Sequence, residues 1–186
     1  MAITLFDVNN KVVQHHDLQD KLHWCTDGET KEQAFVRRYG SELGYEMNPA
    51  KVKNPYAPDL LHTSDSLLTD LKSQHTPFFK SQSLYGIEPT YAVVFNVKDK
   101  ERYEEHYPNI DILYYVEWIA MKADIYGKSF AVNPLVGVYK ISFKDLLTIL
   151  NDSKIHQYQQ RIGDTKGNAR DSYVIDIRNP LFKQIR

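Results

Sequence analysis

Thiols are almost absent: Cys25 is the only cysteine in the chain. One cysteine excludes an internal disulfide and any zinc cluster built on several thiolates. Long apolar runs are lacking too, since nothing approaches the roughly 20 residues of a membrane span, and residues 1–10 show no secretory pattern. The expectation is a cytoplasmic protein with no membrane partner. No repeat, low-complexity tract or Gly/Ser linker divides the sequence, so 1–186 reads as a single domain. An excess of positive charge is also missing. The formal net charge is −1, so any polyanion contact must rest on a local cluster of Lys and Arg.

What remains is ordinary globular material. Hydrophobic residues make up 42% and charged residues 25%, which fits neither disorder nor collagen nor coiled coil. The pattern predicts a strand over 3–8, then a helix capped by Thr30 with Gln33 as reciprocal acceptor, running past Gly40 to about Met47. Residues 48–58, with three prolines, read as loop. Strands are expected over 57–63 and 66–74, joined at Ser64-Asp65, and then over 91–97, 110–118, 135–141, 157–162 and 173–177. A charged helix is expected over 99–107. A second helix should start at Ser142 and bury Leu146, Leu147, Ile149 and Leu150. The expected class is α/β (α+β), a central mixed β-sheet flanked by helices.

The chemistry concentrates in Pro58-Asp59, ten residues, and Asp70-Leu71-Lys72. Residues two apart on a strand share a face, so Asp70, Lys72 and Gln74 project together. If the hairpin turns on Ser64-Asp65, paired numbers sum to 129 and Asp59 falls opposite Asp70, with Cβ atoms about 4.5–5.5 Å apart. Two carboxylates that close need a cation or a proton between them. A hard divalent ion with oxygen ligands is expected, Mg²⁺ or Mn²⁺, with the Leu71 carbonyl as a further ligand. Such a site suits phosphodiester hydrolysis: the ion polarises the phosphoryl group, while the Lys72 ammonium orients the nucleophile or offsets developing charge. Gln74 is a candidate for holding water or a phosphate oxygen.

These residues resemble the PD-(D/E)xK nuclease superfamily, here in the form Pro58-Asp59 … Asp70-Leu71-Lys72. The resemblance covers about residues 28–74 and implies a restriction-endonuclease-like core. It also implies a third acid on the helix before the hairpin, in a Gly-x-x-x-Glu context, which Gly28 to Glu32 matches, so Glu32 joins the catalytic and metal candidates. The implied activity is that of a Mg-dependent deoxyribonuclease, with DNA ahead of RNA as partner and a homodimer left open. Local charge then indicates where nucleic acid would lie. Residues 98–124 hold four Lys/Arg against seven acids, while residues 151–186 hold seven against four. Lys166 and Arg170 in the C-terminal loop are the candidate contacts.

Plainer readings stand beside these. Asp70 and Lys72 would also suit an exposed cross-strand charge pair, and Glu32 a first-turn acid favoured by the helix dipole. Glu104, Glu105 and Asp111 read as a solvated face rather than a second acidic site. Tyr114, Tyr115 and Trp118 read as core rather than stacking platforms. The rival function is a catalytically inactive nucleic-acid-binding or protein-interaction module on the same fold.

Overall fold

The computed structural model describes residues 3–13, 30–157 and 171–186. Near the start, β1 (Thr4–Phe6) and β2 (Val12–Val13) form a hairpin around Asn10, whose φ of 59° is left-handed. The first described helix, Lys31–Phe35, begins with the expected capping box. Thr30 Oγ1 accepts from the Gln33 N–H at 3.2 Å, and Gln33 Oε1 accepts from the Thr30 N–H at 2.8 Å. The helix widens into a π turn, Val36–Gly40, and closes with Ser41–Leu43. It does not reach Met47. Gly44 sits at φ 74°, the left-handed stop that glycine adopts without strain, and Tyr45–Met47 becomes strand β3.

After a 3-10 turn at Pro49–Val52 come β4 (Leu60–His62) and β5 (Leu68–Gln74). Leu60 pairs with Thr69 and Leu61 with Leu68, which is the 129 register. The connection differs from the expected two-residue turn. His62 donates its N–H to the Leu67 carbonyl at 3.0 Å, so residues 63–66 form a four-residue loop. Asp65 Oδ1 accepts from the Leu67 N–H at 3.0 Å, and Ser66 takes a left-handed φ of 56°, which together make the longer loop self-sufficient.

A short helix, Ser81–Tyr85, leads to β6 (Ala92–Asn96), the helix Val97–His106 and β7 (Asp111–Glu117). Next come β8 (Lys122–Ile125) and β9 (Lys128–Ala131), a hairpin turning on Tyr126-Gly127 that the sequence reading lacked. Strand β10 (Val136–Ser142) runs into the helix Phe143–Asp152, whose N-cap Ser142 accepts from the Asp145 N–H at 3.0 Å as expected. Phe143, Leu146 and Leu150 are its buried residues, and Leu147 and Ile149 pack at the margin. The last strands are β11 (Ile155–His156), β12 (Ser172–Asp176) and β13 (Lys183–Gln184). The expected strand over 157–162 lies almost wholly outside the described residues, as do Lys166 and Arg170.

The central sheet has six strands in the order β13-β10-β7-β5-β4-β3. Among the described residues, β5 and β7 are the one parallel pair, with Asp70 beside Ile112, Lys72 beside Tyr114 and Gln74 beside Val116. A parallel pair requires a crossover, and the chain from β6 through the Val97–His106 helix supplies it. One face of the sheet presents Leu71, Leu113, Tyr115 and Val138 to Phe35 and Tyr39 of the first helix. The opposite face presents Ile112, Tyr114 and Val116 to Val93, Phe95, Tyr103, Phe143 and Ile175. Tyr114, Tyr115 and Trp118 are therefore core. A three-stranded sheet, β11-β12-β6, brings Val93, Phe95 and Ile175 to this second core, and a four-stranded sheet, β2-β1-β8-β9, packs Leu5, Ala123, Ile125 and Phe130 with Phe79 and Ala120 in a separate cluster. The architecture is strand-rich α+β, and no described helix is long and apolar enough to cross a membrane.

Candidate active site

The site begins where β4 gives out. Pro58 has no N–H to continue the ladder, and the main chain at 58–59 is taken over by Asn48. The Asn48 N–H donates to the Asp59 carbonyl at 2.9 Å, and its side-chain amide donates to the Pro58 carbonyl at 2.8 Å. Among the described residues, no strand pairs with β5 on that side beyond Thr69. Its free edge is met by the Asp59 side chain, whose Oδ2 accepts from the Leu71 N–H at 3.0 Å. The N–H and C=O of one strand residue point to the same edge, so the Leu71 carbonyl is turned to the same side. Asp59 and Asp70 are both buried, 5% and 4% exposed, which makes neither an ordinary surface carboxylate.

Each carboxylate has a lysine. The Lys51 ammonium, carried by the 3-10 turn, pairs with Asp59 Oδ1. Lys72 Nζ lies 2.7 Å from Asp70 Oδ2 and 2.5 Å from Asp99 Oδ2, and donates to the Tyr103 hydroxyl at 3.3 Å. Arg102 closes the cluster at 3.1 Å from Asp99 Oδ1. Burial alone would push the Lys72 ammonium toward neutrality, but Asp70, Tyr103 and Asp99 outweigh it and hold its pKa well above the ordinary value. Burial likewise opposes ionisation of Asp99, and Lys72 and Arg102 overcome it, so that carboxyl sits below its usual range. Lys72 is thus a fixed positive charge and cannot act as a proton acceptor near neutral pH.

Along the uncovered edge of β5 runs a cleft of about 300 Å³, lined by Glu32, Leu71, Lys72, Gln74, Val94 and Asn96 among others. Glu32 therefore comes from the first helix to the same opening as Lys72. Its carboxylate makes no hydrogen bond or ion pair to any described residue. Gln74 is on the cleft wall, but both ends of its amide are committed. It donates to the Val94 carbonyl at 2.8 Å and accepts from the Val94 N–H at 3.2 Å, joining β5 to β6. Glu104 and Glu105 are exposed on the crossover helix, whereas Asp111 is buried and paired with Lys140 at 2.6 Å.

Two carboxylates and a backbone carbonyl are the oxygen donors that a hard cation takes. Among the described residues no three His, Cys, Asp or Glu side chains converge as a metal-binding group. Asp59, Asp70 and the Leu71 carbonyl would supply the protein oxygens, leaving the other positions to water, as is usual for Mg²⁺. The Lys51 ammonium on Asp59 marks where the carboxylates attract positive charge. Lys51, Asn48, Asp99, Arg102 and Tyr103 carry no motif that marks them as site residues in the sequence. Asp99 alone carried a signal, as an acid in the first turn of a helix. Neither family models, curated proteins nor solved structures give a match to this chain.

Proposed function

We propose that this chain is a divalent-metal-dependent nuclease of the PD-(D/E)xK kind, acting on DNA with Mg²⁺ or Mn²⁺. The observation that carries the reading is the placement of Asp59 on the Leu71 N–H, one residue from Asp70, at the free edge of the strand that bears Lys72. The order of elements supports it: a helix, the antiparallel strands β3-β4-β5, the strand β6 after the short Ser81–Tyr85 helix, the helix Val97–His106, then β7 parallel to β5. That order is similar to the restriction-endonuclease core.

In this reading Asp59, Asp70 and the Leu71 carbonyl hold the ion, which when bound supplies Lewis acidity and an activated water. Lys72, clamped between Asp70 and Asp99, holds a positive charge at a fixed point on the cleft and offsets charge that develops on the phosphoryl oxygens. Asp99 and Tyr103 act through Lys72 as positioning residues. Glu32 lines the same cleft, where a carboxylate can orient water. Gln74 keeps β6 against β5 and so fixes the cleft's width.

One observation favours the rival, a non-catalytic nucleic-acid-binding module: both carboxylates already have lysine partners. Incubation with Mg²⁺ or with chelator on linear, circular, branched and single-stranded DNA, beside the same RNA forms, separates the two. The nuclease reading expects cleavage that chelation abolishes and that Lys72→Ala suppresses. A wild-type protein that binds nucleic acid and cleaves none of these substrates is the module.

A further inference from the structure

A second cavity adjoins the cleft, and we infer that it receives a single unstacked nucleobase of the strand whose phosphate lies at Lys72, an assignment that rests on the nuclease reading above. The cavity measures about 570 Å³. It shares Gln74 and Val94 with the cleft, so the Gln74–Val94 clip is the partition between them. From Lys72 to Gln74 the strand advances roughly 7 Å, about two stacked steps at ~3.4 Å per nucleotide. A phosphate at Lys72 therefore has a neighbouring base within reach of the cavity.

The lining suits a flat aromatic heterocycle with a phosphate beside it. Phe78 and His156 meet edge to face with ring centroids 4.8 Å apart, and the Tyr85 hydroxyl, 2.6 Å from His156 Nδ1, holds the imidazole in place. Pro77 and Ile125 supply apolar surface, and Lys80 brings a cation to the mouth, 5.0 Å above the Tyr126 ring. Bases of any sequence stack on such rings, and a nearby ammonium follows the backbone.

Tyr126 gives an independent reason. It is 64% exposed at the tip of the β8–β9 hairpin, so its ring is not there to fill a core. Its φ is 51°, a left-handed conformation that a bulky side chain rarely adopts, followed by Gly127 at φ 77°. Asn at this turn position would satisfy the same geometry with less strain. Strain retained under an exposed aromatic ring, at the mouth of a cavity, points to a ligand for that ring. A paired base in an intact duplex cannot enter such a pocket without leaving its stack. The substrates implied are single strands, or duplexes with unpaired nucleotides at an end, flap or junction.

The test is equilibrium binding in Ca²⁺ of a short single-stranded DNA and of the same strand with one abasic site moved along it. Wild type, Tyr126→Asn and Phe78→Leu are compared, with Mg²⁺-dependent cleavage of the intact strand measured in parallel. Tyr126→Asn deletes the ring while suiting the left-handed turn, so lost binding cannot be assigned to misfolding. The inference expects one abasic position to weaken wild-type binding by roughly 5- to 150-fold, and expects that penalty to vanish in both variants. An abasic scan that is flat for a protein that still binds and cleaves the intact strand overturns the pocket and leaves the nuclease standing. A wild-type protein that neither binds nor cleaves any nucleic acid overturns both.

Discussion

Asp99→Asn removes one negative charge from a cluster in which Asp70 and Asp99 balance Lys72 and Arg102. The side chains of Lys72 and Asp99 are 16% and 9% exposed, so the variant leaves excess positive charge in a place that water reaches poorly. Removing one partner of a fully buried ion pair costs about 3–5 kcal/mol. Lys72 keeps Asp70 at 2.7 Å, and Arg102 is 29% exposed, which brings the expectation down to roughly 2–3 kcal/mol at neutral pH. At about 2–4 °C per kcal/mol for a chain of this size, Tm should fall by roughly 4–12 °C. The loss should also depend on pH with a definite sign. Because the folded state holds the Asp99 carboxyl below its ordinary value, the unfolded chain binds its proton first as pH falls. The contribution of Asp99 is therefore complete above about pH 3.9 and is lost as pH drops through the lower folded value. Thermal unfolding followed by circular dichroism, near neutrality and in acid, reads both effects. A Tm within a degree of wild type at neutral pH, or a gap that widens on acidification, would refute the account of the cluster.

Other perturbations separate the roles of individual residues. Lys51→Met takes away the ammonium that competes for Asp59, so half-maximal cleavage should need roughly tenfold less Mg²⁺, and a higher requirement in a metal titration would contradict this. Glu32→Ala should change stability by little, about 0.5 kcal/mol or less, while lowering single-turnover cleavage; unchanged cleavage would reduce Glu32 to a first-turn acid. Gly40→Ala places a Cβ 2.6 Å from the Tyr45 carbonyl oxygen and 2.9 Å from Val36 Cγ1. It should cost about 1–3 kcal/mol in a denaturant melt, and an unaltered midpoint would show that the π turn yields.

The parts of the fold that could be read from the sequence are those set by neighbours in the chain. The Thr30/Gln33 box, the Ser142 cap and the 129 register each depend on residues a few positions apart, whose geometry local chemistry dictates. The extension of the first helix to Met47 failed because Gly44 was passed over as a left-handed stop. The β8–β9 hairpin was missed because Tyr126 stands where Asn or Asp would normally announce such a turn. For the site, the shared face of Asp70 and Lys72 was readable, since the period of a strand places them, whereas Asp59 lies before β4 and meets the Leu71 N–H instead of pairing with Asp70. The clamp on Lys72 was not, because Asp99 and Tyr103 reach it across 27 and 31 residues through a crossover that no local pattern encodes. Gln74 shows the converse: its position on the face was readable, but its engagement with Val94 required knowing which strand lies alongside.

Single-turnover cleavage in Mg²⁺, measured beside equilibrium binding in Ca²⁺ for wild type and Asp70→Ala, decides whether Asp70 belongs to a metal-dependent nuclease site. With Asp70 in its proposed role as metal ligand, the substitution should reduce the rate by about 10²-fold or more. Binding should hold or tighten as a negative charge leaves a phosphate-facing surface. Cleavage at the wild-type rate by Asp70→Ala, with binding intact, would place the chemistry somewhere other than the free edge of β5.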